Sequence, residues 1–190
     1  MRRTFDARHP RVMPRSYAVA MDPQVRRGPV TLPAPVTKAL AWARIDFAPD
    51  HHQPRMLGLV LATVVALAGS LAADAVLVAV GTAVFPSTQG YVHFQFGDYG
   101  KLTVIGVLIA CVGWPVVTRI SSAPRRLFLR LAVLVTLILL LPDVWLLLRS
   151  QPPEAVAVLM CMHLAIAVVT YNSLVRLAPV GHPRGAHAPN

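Results

Sequence analysis

The chain has 190 residues, 55% of them apolar and only 14% charged, with a mean hydropathy of +0.57. Soluble domains carry about 25% charged residues, so this composition argues against a soluble globular domain and for a bilayer. A formal net charge of +10 would suit nucleic acid only if the basic residues lay on a soluble face; here they cluster beside long apolar runs, and no nucleic-acid partner is expected.

In chain order, residues 1–55 form a basic leader. They hold ten of the eighteen Lys and Arg, together with Pro10, Pro14, Pro23, Pro29, Pro33 and Pro35. Such a segment buries little apolar surface and is expected to stay disordered. No apolar h-region of a signal peptide precedes Met56. Residues 37–47 (TKALAWARIDF) differ from the rest of the leader. Thr37 is placed to cap a short helix presenting Leu40, Trp42, Ile45 and Phe47 beside Lys38 and Arg44. The alternatives are a helix lying on the membrane surface and a merely solvated stretch.

Four apolar runs follow, over residues 56–85, 102–118, 127–148 and 154–178. A helix needs about 20 apolar residues to cross the hydrocarbon. Only helices and closed barrels satisfy the backbone in lipid, and these runs lack the period-2 alternation of barrel strands. The expected fold is an all-α membrane protein, a four-helix transmembrane bundle with a disordered basic N-terminal leader and a short tail over residues 179–190. Ile120–Arg126 and Arg149–Pro153 read as tight turns, and Pro86–Lys101 as the longer loop. Within that loop Tyr91–Phe96 alternates apolar and polar side chains, as a β-ribbon or an interfacial aromatic patch would; the patch is favoured. Trp114-Pro115 reads as an interfacial anchor and a kink.

Orientation follows from the Lys and Arg bias. The leader, the second turn and the tail hold sixteen, whereas the other two connections hold only Lys101 and Arg149. Both termini are expected in the cytoplasm, in a plasma (inner) membrane, with the leader free to touch anionic lipid.

Away from the basic ends of the runs and the entry residue Glu154, three ionisable residues interrupt them: Asp74, Asp143 and His163. Each costs about 2.5–3.5 kcal/mol on insertion scales, so each raises a functional question. Helix rise places Asp74 about 16 Å, Asp143 about 9 Å and His163 about 14 Å from the outer ends of their runs. All three therefore fall in the outer half of the bilayer. One reading gathers them in the bundle interior as a proton relay or cation site. The other makes them structural, with Asp143 bridging backbone freed by Pro142 and Asp74 bonding a neighbouring helix. Small residues at Ala66, Gly69, Ser70 and Ala73, and at Gly106, Ala110 and Gly113, suit close helix packing within the chain or between copies. Cys111 and Cys161 read as small hydrophobes, and Asn172 as a capping or interfacial hydrogen-bonding group. No metal-ligand spacing, cofactor fingerprint or soluble catalytic motif is present.

Pro142-Asp143 closing the third run, then LMCMHL over residues 159–164, then LVRLAP over 174–179, resemble a family of small actinobacterial four-span membrane proteins known only as a domain of unknown function. In that family a Leu-Met-His-Leu core opens the last span; here the core differs by two residues. The likeness extends from about Met56 to Pro179. It implies fold and location but no reaction. The expected role is therefore a non-enzymatic scaffold or accessory subunit of a cell-envelope complex, with a homo-oligomer or membrane protein as partner and no cofactor. The alternative is a small proton- or cation-coupled transporter acting as a homo-oligomer, in which Asp74 and His163 would be essential.

Overall fold

The computed structural model describes residues 33–43, 45, 47 and 51–181, with the side chains of residues 42 and 43 excepted. The basic residues of 1–32, the Trp42 side chain, Arg44 and the tail from 182 lie outside this set, so the expectations attached to them do too.

Every extended element in the described residues is a helix. Helix α1 (Ala34–Ala43) precedes four long helices: α2 (Met56–Val84), α3 (Phe96–Ile120), α4 (Pro124–Leu148) and α5 (Pro153–Leu177). All four are long and apolar enough to cross a membrane, which is consistent with an integral, multi-pass membrane protein. Successive helices run antiparallel through short connections. Two ends can be distinguished: a basic end, with the α3–α4 turn and the C-terminal segment, and a loop end, with the α2–α3 and α4–α5 connections.

Several local expectations are corrected. Helix α1 begins at Ala34, three residues before Thr37, because Pro35 suits a first turn; Thr37 is not its cap but donates within that turn to the Ala34 carbonyl at 2.9 Å. It also stops at Ala43 rather than continuing to Phe47, which has a positive φ of 54°. Helix α3 starts at Phe96, so Asp98, Tyr99 and Lys101 form its first turns ahead of the apolar run. The Tyr91–Phe96 stretch is no β-ribbon: Pro86–Thr88 and Val92–Phe94 are single 3₁₀ turns. Tyr91 instead meets His93 and Phe94 edge-on, each with ring centroids 5.3 Å apart.

The core sits between α2 and α5, against α3. On α2 the buried residues Ala62, Ala66, Ser70 and Asp74 recur every four residues, making one stripe of small side chains on the helix surface. Gly58 and Gly81 mark its closest approaches to α5: a Cβ at Gly58 would lie 2.7 Å from the Leu177 carbonyl oxygen, and one at Gly81 2.7 Å from a Val158 methyl. The α2 face is thus an internal seam. Helix α3 behaves differently. Its buried residues include Thr103, Val107, Cys111 and Trp114, and Ala110 packs against the core, whereas a Cβ at Gly106 or Gly113 would meet nothing within 4 Å. Gly106 and Gly113 are therefore not part of a packing face.

Trp114 is likewise no interfacial anchor. It is fully buried, lies edge-on to Phe128 and donates from Nε1 to the Ala178 carbonyl at 2.9 Å. Helix α3 runs on through Pro115 to Ile120. Its C-terminal carbonyl at Thr118 has no partner within the helix and accepts from the leader instead, from His51 Nε2 at 2.8 Å and Gln53 Nε2 at 3.1 Å. Two isolated bridges, Ile45 with Ser121 and His52 with Gly181, lace the same segment across the basic end.

Candidate functional site

The polar residues of the spans gather at the loop end. On α4, Asp143 is 4% exposed. Its Oδ2 lies 3.1 Å from Nδ1 of His163 on α5. The same Nδ1 lies 3.0 Å from the Leu159 carbonyl, one turn back on its own helix. A proton on Nδ1 points along α5 to that carbonyl, so the Asp143 oxygen sits off the N–H direction. The pair is a close contact that becomes ionic only when the imidazole is protonated, and Oδ2 is enclosed without an aligned hydrogen bond.

Asp74, on α2, is completely buried. Its Oδ2 accepts from the Thr103 hydroxyl on α3 at 2.6 Å, and its Oδ1 has no partner. His163 stands within electrostatic reach of Asp74 as well as Asp143. Tyr91 in the loop lies within electrostatic reach of Asp143, and Tyr99 on α3 within reach of Asp74. The imidazole thus stands within reach of two carboxylates carried by two other helices. Three orphaned buried oxygens lie in this neighbourhood: Asp74 Oδ1, Asp143 Oδ2 and the Tyr91 hydroxyl. Burial, with the Asp143 charge second, pushes the Tyr91 hydroxyl above its ordinary titration range.

The bridging role given to Asp143 beside Pro142 is not what its carboxyl does; it turns to α5 instead. The structural role given to Asp74 is realised through Thr103, a residue the sequence did not single out. A fourfold period, Thr103–Val107–Cys111, marks its face, but a threonine in an apolar helix ordinarily returns its hydroxyl to its own backbone, as Thr63, Thr82 and Thr136 do here. Asn172 is such a local bond, donating to the Val168 carbonyl at 2.8 Å. Among the described residues no three His, Cys, Asp or Glu side chains come close enough to hold a metal ion.

The site opens onto a cavity of about 640 Å³ between α3 and α4, floored by α5. His93, Asp98, Tyr99, Thr103, Asp143 and His163 line its loop end. A carboxylate and an imidazole in contact can share one proton, as acid with imidazole or as ion pair, and can each take up or release a further one. A second carboxylate within reach of the same ring adds another station.

The family of unknown function DUF6069 matches residues 48–179, and the chain belongs to it. No curated protein and no solved structure matches the chain.

Proposed function

We propose that this is a proton-coupled carrier of the plasma membrane, working through the Asp143–His163 pair, with both termini in the cytoplasm. The observation that carries the reading is the contact between Asp143 and His163 at 3.1 Å: two ionisable groups on different spans, each costly alone in lipid, have been brought together. Asp74 from α2 and Tyr91 from the loop lie within electrostatic reach of the pair, and Asp98, Tyr99 and His93 line the same cavity. Among these described residues none is Lys or Arg, so the charge of Asp143 depends on protons or on a ligand. The scaffold reading rests on the family's lack of an assigned reaction, and the exposed apolar faces, of α4 above all, add nothing to it, because lipid contact alone accounts for them.

Proteoliposomes containing a pH-indicating dye test it. Under an inward proton gradient, vesicles holding the protein are expected to acidify faster than empty ones. Asp143→Asn and His163→Gln are expected to return the rate to the empty-vesicle value. Equal rates for the wild type and both variants would remove the carrier reading and restore the scaffold.

A further inference from the structure

We propose that the α3–α4 cavity is a lateral binding groove for a single-chain amphiphile whose head group is non-anionic and donates hydrogen bonds to Asp143, a long-chain amine being the type case. The inference deepens the carrier reading by naming the class of ligand for the same site, and it rests on that reading only in using Asp143 as the polar contact.

The groove has the form of such a molecule. Along α3 it runs from Asp98 to Ala110, and along α5 from Leu159 to Tyr171, about 18 Å in each case. One leaflet of hydrocarbon is about 15 Å deep, so the groove takes one extended chain. Below its polar end the walls are apolar: Ile105 and Ile109 on α3, Val135 and Leu139 on α4, Ile166 on α5. The two threonines in that stretch do not break the surface. Thr136 bonds the Ala132 carbonyl, and Thr170 lies 3.5 Å from Ser70 on the far side of α5. Phe128 and Tyr171, stacked with centroids 5.9 Å apart, close the basic end. Ile105, Ile109, Val135 and Leu139 are exposed, so the groove is open sideways, the direction from which a lipid enters. Gly106 lies on its wall, and the space a Cβ there would occupy is empty. A glycine that packs against nothing widens the groove.

The head-group preference comes from charge. The described residues lining the polar end include two carboxylates, Asp98 and Asp143, and no Lys or Arg. Asp143 is 4% exposed, with Oδ2 enclosed against His163 Nδ1, so a head group engages its carboxyl by displacing that contact. An ammonium or hydroxyl head offers a donor to the two carboxylates; a phosphate or carboxylate head would set like charges together.

Spin-labelled stearylamine and spin-labelled stearic acid, each added to proteoliposomes of the full chain, distinguish the outcomes by the motionally restricted fraction of the label. The amine is expected to be restricted in preference to the acid by about tenfold, the factor one charge-assisted hydrogen bond carries. Asp143→Asn should cut that preference severalfold while leaving chain restriction in place. Gly106→Leu, whose side chain enters the groove, should lower restriction of both labels. Where Gly106→Leu does not assemble, Ala132→Phe on the opposite wall makes the same test. Equal restriction of amine and acid, or a preference for the acid, overturns the head-group assignment. Restriction unchanged in both blocking variants overturns the groove and leaves only bulk lipid around the helices. The two readings fail separately: amine preference that survives when dye-reported proton uptake is absent removes the proton carrier and keeps the groove, and proton uptake without amine preference does the reverse.

Discussion

Thr103 ties Asp74 to α3 through a 2.6 Å hydrogen bond in the bundle interior. Interhelical polar contacts in membranes average about 0.6 kcal/mol and reach nearly 2. Thr103→Val leaves a buried carboxyl with neither oxygen satisfied, so its cost should fall at the upper end, about 1.5–2 kcal/mol, measured as a shift in an equilibrium unfolding curve in mixed micelles. Tyr91→Phe should behave in the opposite way. Its hydroxyl is buried without a partner, and removing it should leave stability unchanged or raise it. Because burial lifts the Tyr91 proton affinity in the folded state, the unfolded chain gives up that proton first. Stability is therefore complete below the ordinary tyrosine value of about 10 and falls as pH rises through it; Tyr91→Phe should flatten that alkaline decline. The three ionisable residues were legible in the sequence because each stood alone in an apolar run. Thr103 and Tyr91 were not, since one looks like any self-bonded helical threonine and the other like any loop aromatic.

The helices themselves were readable because about 20 apolar residues have only one way to cross hydrocarbon. Their ends were less so. Helix α3 reaches back to Phe96, through a polar first turn that hydropathy does not flag. The small residues were read alike on α2 and α3, yet on α3 only Ala110 packs against the core while Gly106 and Gly113 meet nothing; which face of a helix meets a neighbour depends on the fold, not on the spacing. Two substitutions separate these roles. Gly58→Ala places a methyl against a backbone oxygen that cannot move aside and should cost about 1–3 kcal/mol, whereas Gly113→Ala, with nothing within 4 Å, should be neutral or slightly stabilising by the same unfolding measurement. In the α4–α5 turn, Ser150 sits at a positive φ of 58°. Its N–H reaches the Leu147 carbonyl while that of Gln151 reaches Leu146, the Schellman closure that ordinarily uses glycine. Ser150→Gly should stabilise by about 1 kcal/mol.

Taken whole, the bundle is polarised. The basic end is bound by the leader and holds the aromatic core of Trp114, Phe128 and Tyr171. The loop end holds the buried acids, the membrane histidine and the polar mouth of a groove. Sixteen basic residues against two underlie the proposal that the basic end faces the cytoplasm, and that too is measurable. A cysteine placed at Gln89 should react with an impermeant maleimide in intact cells, and one at exposed Ser122 should react only after lysis. That charge asymmetry was plain in the sequence. The groove was not, because it is made by what α3 and α4 fail to bury, and no periodicity reports an absence of contact. The proposed carrier depends most on Asp143 and His163 acting as one protonatable site inside the bundle. Infrared spectroscopy of the protein in lipid, titrated between acidic and alkaline pH, reads it directly: one component of the protonated-carboxyl band should appear and vanish with pH, be lost in Asp143→Asn, and titrate at a different pH in His163→Gln. A carboxyl band whose titration is untouched by His163→Gln, or that survives in Asp143→Asn unaltered, would contradict it.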